Sequence, residues 1–178
     1  MAEADALVLA MPRRELFRIN GFTRQVDLEI LASLADDSWY AAPTALAGNF
    51  DAKEVRLGLI IVRVQDGIEH VLVDGHGVVL HSTPIPPEVG HLGPGLAALR
   101  QLALVAGRTL LGISSGTVEL IGYCNDDTLP ECRPFFLLVY RLRVPPEIAA
   151  SSGMNWVSRS VINGVPLDPV SALVIAGL

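Results

Sequence analysis

The sequence predicts a mixed α/β (α+β) fold, in which helices flank one sheet. Three strand-like runs rich in Val, Ile and Leu lie at 55–64, 68–75 and 76–84. A Pro- and Gly-rich segment at 84–95 follows and leads into a helical pattern at 96–107. Two longer strand-like runs, a short one and a final helical run close the chain. This order of elements favours a mixed sheet over a strict β-α-β alternation or an all-β sandwich.

Two helices are marked by their ends as well as by their pattern. At 96–107, leucines recur at helical spacing, and Gly107 is typical of the residue that stops a helix. Near the end of the chain, Asp168 and Pro169 suit the N-cap and the first position of a helix. The strand-like runs between these helices are 117–124, 133–144 and the short run 155–162.

The chain divides into two predicted regions. Residues 1–54 lack a regular pattern apart from a short helix that ends near Ala35, so we interpret this region as an N-terminal extension. Residues 55–178 contain the strands and helices described above and form the predicted domain. A length of 178 residues is sufficient for one core without disulfide or metal support.

Composition favours a protein partner. Hydrophobic residues make up 51% of the chain and charged residues 18%, which indicates that some apolar surface meets another protein or a second copy. We therefore expect a homo-oligomer. The formal net charge of −6 supplies no sequence-wide positive field, which disfavours bulk nucleic-acid binding.

The N-terminal sequence and the cysteines favour a cytoplasmic protein. Acidic residues precede the first short apolar run, opposite to a secretory signal, and no apolar stretch reaches membrane-spanning length. Cys124 and Cys132 flank the acidic turn 125–131 and could face each other across a hairpin. We expect them to be reduced thiols, as is usual in the cytoplasm.

The helix at 96–107 and the segment before it resemble the signature of the Nudix family, G-x5-E-x7-R-E-U-x-E-E-x-G-U, where U is aliphatic. Arg100 aligns with the family arginine, Leu102 with an aliphatic position and Gly107 with the closing glycine. The flanking strands and the final helix are similar to the family as well, so the resemblance covers roughly residues 55–178. It implies a Nudix-like mixed sheet flanked by helices and, with an intact signature, Mg²⁺-dependent hydrolysis of a phosphoanhydride.

The acidic positions of the signature are not acidic in this sequence. The three glutamates of the family helix lie three and four residues apart, share one face and hold the metal. Because Mg²⁺ requires oxygen ligands that carry charge, this degenerate box predicts no metal site and no standard catalytic residue. We expect the apolar face to pack against the N-terminal third or another subunit. The degenerate positions, including the upstream glutamate, are Leu92, Gln101, Leu104 and Val105.

Three functions remain open at this point, of which the third is an oligomeric structural protein that uses its apolar surface without any ligand. The first is a non-catalytic binding or interaction module without a cofactor, a role that the resemblance allows, with a nucleotide-like small molecule or a protein as partner. Arg100 and Gln101 are its candidate ligand-binding residues. The second is a divergent hydrolase of a nucleoside diphosphate derivative, in which acids of the turn act with Mg²⁺. Those acids, which equally suit a solvated turn, are Asp126, Asp127 and Glu131.

Two further patterns carry less weight. The run 112–116 satisfies G-x-S-x-G and would make Ser114 a nucleophile, but a helix precedes it, a strand follows it and no histidine comes later in the chain. We interpret this run as a turn. The histidines cluster in one region without metal-type spacing, which favours solvated or hydrogen-bonded side chains over a zinc or iron site. They are His70, His76, His81 and His91.

Overall fold

A computed structural model describes residues 6–93, 95–113 and 115–178, and the side chain of Leu92 lies outside this set. Within the described residues, the strands form one mixed sheet with helices on both faces. The strands are β1 (Val8–Pro12), β2 (Gly21–Thr23), β3 (Trp39–Ala41), β4 (Ala52–Gln65), β5 (Ile68–Asp74), β6 (His81–Pro84), β7 (Thr117–Asn125), β8 (Phe135–Val144) and β9 (Met154–Ser158). The helices are α1 (Leu28–Asp37), α2 (Pro43–Leu46), α3 (Gly95–Leu111) and α4 (Pro169–Gly177).

The long strand β4 is the centre of the sheet. It runs parallel to β8, with register partners from Glu54 and Phe135 to Arg63 and Val144. Along its other edge, β4 pairs antiparallel with β1, then β6 and then β5. Strands β7 and β2 extend the sheet beyond β8, β3 extends it beyond β1, and β9 pairs with β5. This mixed sheet confirms the predicted fold class.

Side-chain alternation along β4 gives the sheet two apolar faces. Leu57, Leu59 and Ile61 belong to the core shared with α1 and α3. Ile60 and Val62 belong to a second core shared with α4. Because both faces are covered, β4 has an almost continuous apolar sequence instead of the alternation typical of a half-exposed strand.

The N-terminal region contributes to the same sheet. The predicted short helix is present as α1, and the carboxylate of Asp27 caps it by accepting the amide hydrogen of Glu29. The sequence did not predict β1, β2 and β3, which lie between residues 8 and 41 and pair with β4, β7 and β1 respectively. These strands are three to five residues long, too short to show a clear periodicity. The predicted boundary before residue 55 falls inside β4.

The prediction that Gly107 stops the box helix is wrong, because α3 continues to Leu111. The glycine is needed for close packing instead. A Cβ at Gly107 would lie 2.3 Å from Cδ2 of Leu142 in β8, and a Cβ at Gly116 would lie 2.5 Å from Cδ1 of the same side chain. The two glycines therefore hold the buried Leu142 from both sides, and the helix ends before Gly112, which has a φ of +66°.

The predicted cap of the last helix is confirmed. The carboxylate of Asp168 accepts the amide hydrogens of Val170 and Ser171 at 3.0 and 3.2 Å. The hydroxyl of Ser171 in turn accepts the amide hydrogens of Val79 and Leu80, which fixes α4 to the segment before β6. In the part of the chain that the structure describes, no helix combines the length and apolarity needed to cross a membrane.

We predict that Gly107→Ala destabilises the protein. Alanine in a helix gains about 1 kcal/mol over glycine, but an extra methyl in a tight core costs about 1–3 kcal/mol. Since Leu142 cannot move away from Gly107 without approaching Gly116, we expect a net loss of about 1 kcal/mol in the free energy of unfolding, measured by urea denaturation. Gly164→Ala, where a Cβ meets no atom within 4 Å, is the control. Equal stability of both variants would contradict this account of α3.

Candidate functional site

The helix α3 carries the box positions on adjacent faces. Residues four apart lie about one turn apart, so Gln101 is in line with Val105, whereas Arg100 is in line with Leu104. Arg100 reaches β7, where its Nη2 donates a hydrogen bond to the backbone oxygen of Val118 at 3.2 Å. Gln101 is half-buried and Val105 is 38% exposed. The two predicted ligand-binding residues therefore lie on neighbouring faces of one helix.

A groove of about 240 Å³ lies between the start of α3 and the strands β7 and β8; we call it the β7 groove. Its polar side chains are Arg100, Tyr140 and Glu119. The carboxylate of Glu119 pairs with the guanidinium of Arg141 at 2.9 Å, which offsets its charge at the rim. The complete lining is Leu96, Arg100, Val118, Glu119, Leu120 and Tyr140.

Tyr140 brings a buried polar group to the β7 groove. The residue is 1% exposed, and its hydroxyl has no hydrogen-bond partner among the described residues. Burial raises the pKa of Tyr140 to about 12, so the hydroxyl is protonated at neutral pH. The equally buried hydroxyl of Tyr123 differs, because it donates to the backbone oxygen of Asp27 at 3.1 Å. No sequence pattern pointed to Tyr140, although it is the one hydroxyl-bearing residue in the run 133–144.

A second groove, of about 360 Å³, lies between α3 and β6; we call it the β6 groove. Nε2 of His81 is buried there without a hydrogen-bond partner among the described residues. Burial lowers the pKa of His81 more than Asp74 and Asp168 raise it, which favours the neutral imidazole. The lining contains hydroxyls but no carboxylate: Val78, His81, Ser82, Thr83, Leu102, Val105, Ala106, Thr109 and Leu110.

An apolar cavity of about 420 Å³ lies where α1 faces the start of α3. Leu31 and Leu34 of α1 line it together with Leu96 and Leu99 of α3. The N-terminal third thus faces the first turns of α3 across this cavity. Further along α3, Leu104 packs against the main core, whereas Val105 stays partly exposed in the β6 groove.

The described residues offer no metal centre. In residues 6–93, 95–113 and 115–178, no group of three or more His, Cys, Asp or Glu side chains is arranged to hold a metal ion. The predicted box positions Gln101, Leu104 and Val105 are neutral, and the side chain of Leu92 lies outside the description. Ser114, the candidate nucleophile of the G-x-S-x-G run, also lies outside the described residues.

The acids of the alternative hydrolase site lie at the far end of β7. From Val118 to Asp126 the chain spans about 25 Å, at roughly 3.3 Å per residue of extended strand. The carboxylate of Asp126 accepts hydrogen bonds from the hydroxyl of Thr128 and from two amides of its own loop. These bonds, chiefly that of the Thr128 hydroxyl, lower the pKa of Asp126. The structure therefore does not bring Asp126, Asp127 and Glu131 to the box helix.

Asp127 belongs to an ion cluster that joins the N-terminal region to the sheet. Its Oδ1 lies 2.7 Å from Nζ of Lys53 and 2.6 Å from Nη1 of Arg13. The Lys53 side chain is fully buried and also donates to Oδ1 of Asn125 at 2.5 Å. Desolvation raises the pKa of Asp127, but the hydrogen bond and charge of Lys53, with Arg13, outweigh it and lower that pKa. Near this cluster, Cys124 and Cys132 are buried, free thiols.

The fold places this α+β protein in a known structural class. No protein-family model matches the sequence, and no curated protein matches it either. Solved structures do match. Tm1382, assigned to the Nudix hydrolases, gives a TM-score of 0.76 at 14% identity and covers 96% of each chain. The Nudix domain of Shewanella oneidensis NrtR, solved in complex with ADP-ribose, gives 0.53 at 15% identity over 86% of this chain and 96% of that domain.

The chain therefore has the Nudix fold, and the resemblance seen in its sequence is confirmed at the level of the fold. At this low sequence identity, the structural similarity shows the fold and the arrangement of its elements.

We predict that Asp127→Asn destabilises the protein at neutral pH. The substitution leaves the buried Lys53 without its counter-ion, and we expect a loss of about 2 kcal/mol, less than for a fully buried pair because Asp127 is 45% exposed. Glu131→Gln, an exposed neighbour in the same loop, is the control and should change little. Urea denaturation at pH 7 measures both variants.

The difference in the free energy of unfolding between the wild type and Asp127→Asn should depend on pH. The pKa of Asp127 is lower in the folded state than the ordinary value of 3.8, so its stabilising effect is complete above that value and is lost as the pH falls through the folded-state pKa. The stability difference between the wild type and Asp127→Asn should therefore shrink in strong acid. If this difference in the free energy of unfolding stayed constant as the pH fell below the folded-state pKa of Asp127, the charge of the carboxylate would not contribute to stability.

Proposed function

We propose that this protein is a non-catalytic ligand-binding module with the Nudix fold. Its ligand is a small molecule held between α3 and the sheet in the β7 groove, with Arg100 as the principal charged contact and no metal ion. One observation carries the proposal: Gln101, Leu104 and Val105 stand where a metal-dependent hydrolase needs carboxylates. The degenerate box is thus interpreted as a site that has kept its groove and lost its metal.

The physical reason is the hydration of the cation. Mg²⁺ gives up its water only in exchange for oxygen ligands, and it prefers those that carry negative charge. The amide of Gln101 offers a single neutral oxygen, whereas Leu104 and Val105 offer none. Without the metal, a diphosphate has neither a Lewis acid nor an activated water on this face. Binding by hydrogen bonds and one cationic side chain remains.

The alternative of a divergent hydrolase finds less support. It requires Asp126, Asp127 and Glu131 to hold Mg²⁺ against a substrate. Asp126 is engaged by its own loop, and Asp127 is engaged by Lys53 and Arg13. The loop also lies about 25 Å along β7 from the helix that the family uses. The complex of the NrtR domain with ADP-ribose makes nucleotide-like compounds a ligand class worth testing here.

We predict that the wild-type protein neither binds the catalytic metal nor hydrolyses phosphoanhydrides. Titration with Mn²⁺, followed by the electron paramagnetic resonance of the free ion, should show no tight site. Incubation with ADP-ribose, nucleotide sugars and dinucleoside polyphosphates plus Mg²⁺ or Mn²⁺ should release no phosphate product above the metal-free rate. The physical reason in both assays is the lack of carboxylates on α3.

The opposite result has a clear signature. Metal-dependent turnover that is abolished by Asp126→Asn would reverse the ranking of the two functions. Asparagine keeps an acceptor oxygen for the loop amides, so loss of turnover in this variant would report on chemistry more than on folding. Glu147→Gln, which alters an exposed acid outside this loop, serves as the control.

We infer a second role, self-association, from the edge of the sheet. Strand β3 is an edge strand of the sheet that the described residues form. Its Trp39 and Tyr40 side chains are 41% and 37% exposed. An uncovered edge strand offers unpaired backbone groups to another chain. The apolar composition of the protein supports the same inference.

We predict that light scattering after size exclusion gives twice the chain mass of 19.0 kDa. Trp39→Glu should shift the protein towards the mass of one chain, because a carboxylate at the contact must be desolvated. Phe50→Glu alters an aromatic residue that is 76% exposed but lies outside the strands and is the control. A wild-type protein with the mass of one chain at all concentrations would contradict self-association.

A further inference from the structure

The hydroxyl of Tyr140 is a polar group that the fold does not explain. Buried hydroxyls in proteins are nearly always hydrogen-bonded, since leaving one unpaired costs free energy. Tyr140 lies in β8 with its ring in the core, yet no partner for its hydroxyl exists among the described residues. Tyr123, its buried neighbour, has a partner in the backbone oxygen of Asp27. The contrast points to a partner for Tyr140 other than the residues that the structure describes.

The β7 groove supplies the space for such a partner. Tyr140 and Arg100 both line it, and the charge of Arg100 lowers the pKa of the phenol against the larger effect of burial. The contact of Arg100 with Val118 uses one hydrogen of a guanidinium that carries five N–H donors. Two donors, one of them cationic, converge on one small space and favour an oxyanion.

We propose that the β7 groove binds a small organic monocarboxylate, whose oxygens accept hydrogen bonds from the guanidinium of Arg100 and the hydroxyl of Tyr140. This inference rests on the proposed function and names the class of its ligand. The carbon part of the ligand lies against Leu96 and Leu120, the apolar walls of the groove.

Charge and volume select this class. Arg100 is the one cation in the lining, and Glu119 at the rim is already paired with Arg141. A monoanion balances Arg100, whereas a phosphate dianion would leave a second charge near the carboxylate of Glu119. A volume of about 240 Å³ equals that of roughly eight waters at about 30 Å³ each, which suits a ligand with a short chain or one ring.

Calorimetric titration of the wild-type protein with benzoate and butyrate tests the proposal directly. We expect saturable binding of at least one acid, at least about tenfold weaker binding of the matching amide, and weaker binding of inorganic phosphate. Tyr140→Phe keeps the ring and removes the hydroxyl, and it should weaken carboxylate binding about tenfold. Tyr123→Phe makes the same change at the partnered tyrosine and should leave the affinity unchanged.

Two further measurements guard against a purely structural effect. Without ligand, Tyr140→Phe should keep or raise the melting temperature, because an unpaired buried hydroxyl is removed, whereas Tyr123→Phe should lower it. Arg100→Lys keeps the charge without the planar fork and should bind carboxylate more weakly than the wild type but better than Arg100→Gln.

Several results would overturn the inference. Equal affinity of the wild type and Tyr140→Phe would do so, as would phosphate binding as tightly as benzoate, or no carboxylate binding at millimolar concentration. A drop in melting temperature of ligand-free Tyr140→Phe as large as that of Tyr123→Phe would assign the hydroxyl to a bound water. If the protein binds no carboxylate and also shows no metal-dependent turnover, only the proposed ligand class is rejected. If it shows metal-dependent turnover, the proposed function is rejected as well.

Discussion

The parallel pairing of β4 with β8 is the constraint on which the rest of the structure depends. Residues two apart on a strand face the same side, so this register directs both Tyr140 and Leu142 of β8 towards α3. A shift by one residue would turn both side chains to the face covered by α4. The same pairing sets Lys53, at the start of β4, beside the loop that enters β8.

The position of α3 on this sheet is fixed at two points. Near its start, Arg100 is bound to the backbone of β7, and near its end Gly107 allows contact with Leu142. The space between the helix and the strands is therefore set by this hydrogen bond and by packing. A groove whose walls are held in this way is already formed before a ligand arrives, which lowers the entropic cost of binding.

Strong periodic patterns predicted most of the fold. The strands from β4 onward, the box helix and the cap by Asp168 all follow from apolar spacing and from residues with a local role. The short strands β1, β2 and β3 were not predicted, because their pairing depends on partners far along the chain. Gly107 was misread for a related reason, since its role depends on Leu142. The same holds for the candidate site. Arg100 could be identified from a sequence motif, whereas Tyr140 could be identified only from the three-dimensional packing.

The loss of carboxylates from α3 changes what kind of chemistry the remaining groups can perform. Arg100 is a cation without an acidic partner on its own helix, and His81 and Tyr140 are neutral donors or acceptors at neutral pH. Such groups recognise a ligand through hydrogen-bond geometry and a single charge, but they supply no metal-bound hydroxide beside a diphosphate. Because an unpaired buried donor gains most from a charged acceptor, a groove with these groups and no carboxylate on α3 suits the capture of a small anion.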